Sequence, residues 1–317
     1  MKLLVTLGGQ SHQNGEYSYT VGGLVLIDWE TKSVLQELTY VSPPEQAAPA
    51  GHMHFTYGHL MGRQLLVPTA TELLFIDLNE WKIERTLSLP QFNDLHHALV
   101  IGDHLYVCNT GLQAVQKLSA DGVLLETYSA DERPTWEAYD RTRDYRGIHT
   151  KPHSVHPNYV FQLDGRLWAT RFRRMDAVQL DDPSRRLNVE VGNPHDGIAT
   201  KDLVYFTTTN GHVVGVDPDS GERARVLDLN GVEPGRGQLG WCRGLRLLDE
   251  HTALVGFTAF RPSKWKDAVH WILQDGKQRL PSRIALYDLR ASRLLEEMPL
   301  PGKWADAAIY SIFCLPD

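Results

Sequence analysis

Cysteine is scarce in this chain. Cys108, Cys242 and Cys314 are the three in 317 residues, an odd number with no CxxC spacing. This argues against a disulfide framework, and a reducing, cytoplasmic compartment fits best. A basic excess is missing too. The 32 Lys and Arg are outnumbered by 39 Asp and Glu, giving a net charge of −7, which argues against nucleic acid or an acidic membrane as partner. Long apolar runs are absent. The opening Met1–Gly8 segment holds only about five apolar residues, too few for a secretory core or a bilayer span, and reads as a β-strand. Helical periodicity is nearly absent as well, and there is no GxSxG elbow, P-loop or strand-to-helix GxGxxG. The glycine-rich Gly231–Gly237 stretch is loop-like with no helix after it. What remains is a chain with 42% hydrophobic residues and mean hydropathy −0.32, ample material for a globular core.

Short apolar runs recur in groups bounded by turn residues. Leu65–Pro68, Leu73–Leu78 and Lys82–Leu89 form one such group, and Leu105–Cys108, Ala114–Leu118 and Val123–Tyr128 the next. Asp closes the third run of five groups (Asp28, Asp77, Asp181, Asp217, Asp288) and Ser119 the other, with turn sequences such as Asp217-Pro-Asp-Ser-Gly-Glu222 following. Six four-stranded antiparallel units predict an all-β, six-bladed β-propeller spanning 1–317 as one domain. The chain end at Asp306–Leu315 has an inner strand without a second one. The N-terminal Lys2–Leu7 supplies a second strand without an inner one. The last blade is thus expected to be closed by both termini.

Stacking the six inner-strand segments yields one column: His54, His96, His156, His195, Cys242 and Asp306. Histidine occupies 14 of 317 positions, so four in a column of six is far above its share. Imidazoles converging on a propeller axis suit a divalent transition metal (Zn, Fe or Mn) better than calcium. One ion takes three or four ligands, so the four histidines are the expected metal set, and Cys242 and Asp306 are expected beside it or facing substrate. The plainer reading is that such histidines hydrogen-bond across the channel and hold water. One position on from the column, His97 and Asp196 are candidate general bases and Arg243 a candidate clamp for a carboxylate or phosphate. His153, on a long crossover, is a further candidate base. Alternation along a strand would instead turn His97, Asp196 and Arg243 toward the blade interfaces. Trp241, Trp304 and Tyr310 are candidate pocket walls. The long stretches Gly8–Thr20, Ser42–Met53, Ser129–Val155, Asn230–Trp241 and Arg261–Ser282 are all expected at the mouth that carries the column, with a short helical lid over Lys264–Lys277.

The segments His156-Pro-Asn-Tyr-Val160 and His195-Asp-Gly-Ile-Ala199 resemble inner strands of a six-bladed propeller superfamily. It contains the NHL-repeat proteins, the gluconolactonase and strictosidine-synthase groups and the peptidylglycine amidating lyase. The resemblance spans the chain at the level of repeats and implies the propeller architecture. Tyr159 stands where that family has Gly, and no carboxylate and asparagine set matches the lactonase calcium site. The histidine-rich ring is closer to the lyase type, which implies a zinc held by inner-strand histidines. It is also similar to the four-histidine iron of carotenoid-cleaving propellers, which have seven blades. Gly240-Trp-Cys-Arg-Gly-Leu245 resembles a family of uncharacterised propellers. These readings lead to a metal-dependent lyase or hydrolase acting on a small molecule, with an anionic one as one option. A non-haem iron oxygenase and a non-catalytic ligand-binding or interaction propeller are the alternatives.

Overall fold

The computed structural model describes residues 1–13, 16–45, 52–236, 239–260 and 280–316. Burial along each strand follows its apolar content. Second strands such as Gln64–Pro68 are continuous apolar runs buried on both faces, because a neighbouring sheet covers each side. Outer strands such as Lys82–Leu87 are mostly exposed and charged.

Six four-stranded antiparallel sheets result. The first blade comprises His59–Met61, Gln64–Pro68, Leu73–Asp77 and Lys82–Leu87. The second runs Leu95–Ile101, His104–Asn109, Ala114–Ser119 and Leu124–Ser129. The third has Pro157–Leu163, Arg166–Arg171, Asp176–Gln179 and Arg186–Asn188. The fourth has Pro194–Ala199, Val204–Thr208, His212–Val216 and Arg223–Asp228. The fifth has Trp241–Leu247, Thr252–Thr258, Arg283–Asp288 and Arg293–Pro299. The sixth is ordered Ala308–Leu315, Lys2–Gln13, Glu16–Asp28, Ser33–Tyr40. Inner strands of successive blades touch, and apolar clusters fill the blade interfaces, as where Leu4 and Leu24 pack with Leu65 and Leu74. The architecture is a six-bladed β-propeller. Its sixth blade is closed by pairing of the two ends of the chain, from Lys2 opposite Leu315 to Gly8 opposite Ala308. That pairing covers the edge that Lys2–Gln13 would otherwise expose.

Two loop expectations change. Gly8–Thr20 is largely strand: the first hairpin continues with Gly8 opposite Gly22 and Gln10 opposite Tyr19. Gly8 is required there, because a Cβ would lie 2.8 Å from His54 Cβ and from the Tyr19 ring. The Ser129–Val155 crossover contains a helical turn at Thr135–Ala138. It is tied to the second blade by Asn93, whose Nδ2 donates to the carbonyls of Tyr145 at 2.5 Å and Ile148 at 2.8 Å. The expected lid at Lys264–Lys277 lies outside the described residues. Among the described residues no helix is long and apolar enough to cross a membrane.

Candidate functional site at the propeller mouth

Five of the six inner strands enter their sheets irregularly. Bulges fall beside His97, Asn158, His195, Arg243 and Ile309, and bulges re-aim side chains. Asp94, His156 and Asp196 adopt left-handed φ of 50°, 54° and 64°, a conformation that costs non-glycine residues energy and gathers at functional sites. The strands converge on a small axial cavity lined by residues from all six blades: Tyr57, His96, Asn158, Tyr159, His195, Asp196, Arg243 and Tyr310.

The hydrogen-bond partners fix the imidazole tautomers. His96 Nδ1 lies 2.8 Å from the Asp94 carbonyl, which can only accept. Its proton is therefore on Nδ1 and Nε2 carries a lone pair. The Asn93 amide donates through Nδ2, so Thr150 Oγ1 donates to Asn93 Oδ1 at 3.0 Å and accepts from His153 Nε2 at 3.1 Å. His153 Nδ1 is left unprotonated and accepts from His156 Nδ1 at 3.1 Å, leaving His156 Nε2 bare. His195 is the reverse. Asn158 Nδ2 donates to the Pro194 carbonyl at 2.8 Å and to His195 Nδ1 at 2.9 Å, so the His195 proton sits on Nε2. Burial pushes His54, His96, His156 and His195 below the ordinary histidine range, and His153 down to about 4. All are neutral at pH 7. The buried Asp94 carboxyl is the exception. Burial would raise it, but the imidazoles, which take up protons in the acid range where this carboxyl titrates, and the Lys151 ammonium, 3.5 Å away, outweigh this and hold it well below the carboxylate range.

Arg243 is 5% exposed, and its Nε and Nη2 have no hydrogen-bond partner among the described residues. Its guanidinium lies 4.1 Å over the Tyr310 ring. Burial opposes its charge, and the neighbouring Tyr310 and Tyr19 hydroxyls more than offset that. Tyr19 also packs against His54 at 4.7 Å between centroids, and His54 stacks on Tyr310 at 5.1 Å. Tyr19 was hidden from the sequence reading by its assignment to a loop, although Glu16-Tyr-Ser-Tyr-Thr-Val21 alternates as a strand does.

The remaining candidates are held in blade interfaces or off the axis, although Asp196 also lines the axial cavity. His97 Nδ1 accepts from the Val160 amide at 3.0 Å, and its ring stacks on Tyr159 at 3.9 Å, between two blades. Asp196 accepts from Thr207 Oγ1 at 2.5 Å and from the Leu245 amide at 3.2 Å, joining the fourth and fifth blades. Burial raises its carboxyl to about 6. Cys242 is buried in an interblade apolar cluster with Leu245, Phe257 and Tyr287. Asp306 is exposed, ahead of the last strand. Trp304 is buried against the sixth blade, among Leu7 and Ile309, whereas Trp241 is 37% exposed.

Among the described residues no group of three or more His, Cys, Asp and Glu side chains is arranged to hold a metal ion. The tautomers agree with that. His96 and His156, with ring centroids 4.9 Å apart, present the bare nitrogen a metal requires. His195 presents N–H, and His54 is enclosed by tyrosine rings. Of the four expected ligands, His96 and His156 offer bare nitrogens from neighbouring rings.

No protein-family model matches the chain, and no curated protein matches it. Among solved structures it is similar to a protein of unknown function from Bacteroides caccae, at 12% identity over 98% of this chain and 97% of that one, with a TM-score of 0.60. The likeness is one of fold.

Proposed function

We propose that the axial mouth binds the anionic group of a small molecule, with Arg243 as its anchor, and serves acid–base chemistry of the lyase or hydrolase type. One observation carries the reading: a buried guanidinium two of whose nitrogens have no partner among the described residues. Such a group costs stability unless something pairs it, and a carboxylate or phosphate matches its two-point fork. His195 Nε2–H is a second donor in the same cavity. His96 Nε2 and His156 Nε2 are neutral bases suited to accept a proton, a role that His97 and Asp196, tied into blade interfaces, serve less well. The His-Pro-Asn and His-Asp-Gly segments support grouping the chain with the NHL and gluconolactonase-like propellers, and the three free cysteines support a cytoplasmic setting.

The test is Arg243→Lys, which keeps charge and removes the fork. Affinity for acetate or inorganic phosphate, read by calorimetry, is expected to fall about tenfold or more, with melting temperature nearly unchanged. Lost stability with unchanged affinity would make Arg243 a packing residue.

The His96–His156 pair favours a second reading, a divalent transition metal bound by two imidazoles and exogenous ligands. Elemental analysis of protein purified without chelators tests it. Stoichiometric zinc or manganese supports a metal-dependent hydrolase or lyase, and iron an oxygenase. Metal-free protein that still binds anions rejects this second reading.

A further inference from the structure

Beside the mouth, where the third, fourth and fifth blades meet, lies a second cavity of about 490 Å3, within the roughly 300–1,000 Å3 usual for small-molecule sites. The axial cavity has about 10 Å3, room for about one water or one oxygen of an anionic group. An organic anion that reaches Arg243 must therefore carry its body elsewhere. The two spaces have neighbouring linings: the Phe172 ring of the larger is 5.4 Å from the His195 ring of the smaller, and the Trp241 ring is 6.0 Å from Arg243 Cζ.

The larger cavity has its own chemistry. Phe172, Trp241 and Phe260 supply aromatic surface, and Asn193, Asn230 and Thr209 supply polar atoms. Asn193 Nδ2 donates to the Phe172 carbonyl at 2.8 Å, and Asn230 Nδ2 donates to the Asn210 carbonyl at 2.9 Å. Both amides are thus oriented with Oδ1 unpaired among the described residues. No described lining residue is charged. The wall at Leu239 is held by Arg283, whose Nη1 donates to the Leu239 carbonyl at 2.7 Å.

Aromatic faces together with fixed, uncharged acceptors ask for a ligand that has apolar C–H faces and several hydroxyl donors. A pyranose ring meets both requirements. A flat aromatic acid would fill the aromatic surface and leave the amide oxygens unpaired, which is unfavourable. We propose that this cavity is the body subsite for an anionic sugar, a sugar acid or sugar phosphate, whose charged group is held by Arg243; the proposal rests on the anion-site reading above.

The experiment is calorimetric titration of the full chain with D-glucuronate and D-glucose 6-phosphate, against acetate, inorganic phosphate and benzoate. At least one sugar anion is expected to bind ten times or more tighter than its bare anion and than benzoate. Trp241→Ala, at a partly exposed position, should erase most of that gain over the bare anion measured on the same variant. If bare anions bind through Arg243 but the sugar adds nothing, or benzoate binds as well as the sugars, the sugar subsite is wrong and the anion site stands. If neither bare nor sugar anions bind, both fall.

Discussion

His96 and His156, from the second and third blades, end at the mouth in bare imidazole nitrogens, whereas His195 and Arg243, from the fourth and fifth, end in N–H groups. The residue type is the same for three of these four, and burial keeps all three imidazoles neutral. The difference lies in the partner behind each ring. A carbonyl behind His96 and a histidine relay behind His156 draw the proton to Nδ1, while an asparagine amide behind His195 drives it to Nε2. One side of the mouth is therefore built to accept and the other to donate, which suits an anionic ligand that must also lose or gain a proton.

The harshest way to break this comparison is to open the ring that holds the two sides opposite each other. Deleting residues 1–10 removes the strand that pairs with both Ala308–Leu315 and the Glu16–Asp28 strand and exposes two sheet edges. Cooperative thermal unfolding is expected to be lost or to shift down by well over ten degrees, on the scale of about 2–4 °C per kcal/mol for larger domains. Melting within a degree or two of the intact chain would contradict the closure.

Next in size is acid. His54, His96, His97, His153, His156 and His195 all have folded pKa values below the ordinary histidine value. Their stabilising contribution is present above about pH 6.5 and is lost as pH falls through the folded values; His153, depressed to about 4, alone accounts for about 3 kcal/mol. Asp196, raised to about 6, works the other way: its contribution is present below about pH 4 and lost as pH rises through 6. Six imidazoles outweigh one carboxyl, so the urea midpoint of chelator-treated protein should drop steeply from pH 7 to pH 5. A flat profile would mean the rings are solvated or charged.

A smaller change sharpens the contrast between the two sides. Asn158→Asp replaces the amide donor behind His195 with an acceptor and should move the imidazole proton to Nδ1. The donating side then loses one N–H, and bare-anion affinity should fall about tenfold, the scale of one charge-assisted hydrogen bond. Imidazole 15N shifts report the tautomer and calorimetry the affinity; unchanged values in both would show that Asn158 does not set His195.

Strands were legible because burial follows apolar runs directly, and Leu65–Pro68 or Ala114–Leu118 agree with the observed strands to within a residue or two. The histidine column was legible only as a neighbourhood. In the sheets, the residues that pair at the equivalent second-strand level are His97 with Cys108, Tyr159 with Thr170, His195 with Thr207 and Arg243 with Gly256. His96 sits in the bulge of its strand, Cys242 drops into an interblade core, and Asp306 precedes its strand altogether. A bulge shifts register by one residue and turns each following side chain to the other face, and its position differs from blade to blade with no fixed residue type to mark it. The proton positions were less legible still, since they depend on Asp94, Asn158 and Thr150, none of which shares a constant spacing with the ring it controls.

The least disruptive change tests the relay behind the accepting side. Thr150 is half-buried on the crossover, and its hydroxyl is the link that reads the Asn93 amide and fixes His153 as the Nε2–H tautomer. Thr150→Val keeps the shape and removes that link. Stability should fall by only about 1 kcal/mol, the worth of an ordinary hydrogen bond, because the Asn93 anchors to the crossover carbonyls remain. The tautomer of His156 should change more than the stability does. With His153 free to carry its proton on either nitrogen, His156 loses its fixed acceptor, and its 15N shifts should move from a pure Nδ1–H pattern toward a mixture, while His96, held by the Asp94 carbonyl, keeps its own. If His156 stays purely Nδ1–H in the variant, the crossover relay does not set the polarity of the accepting side of the mouth.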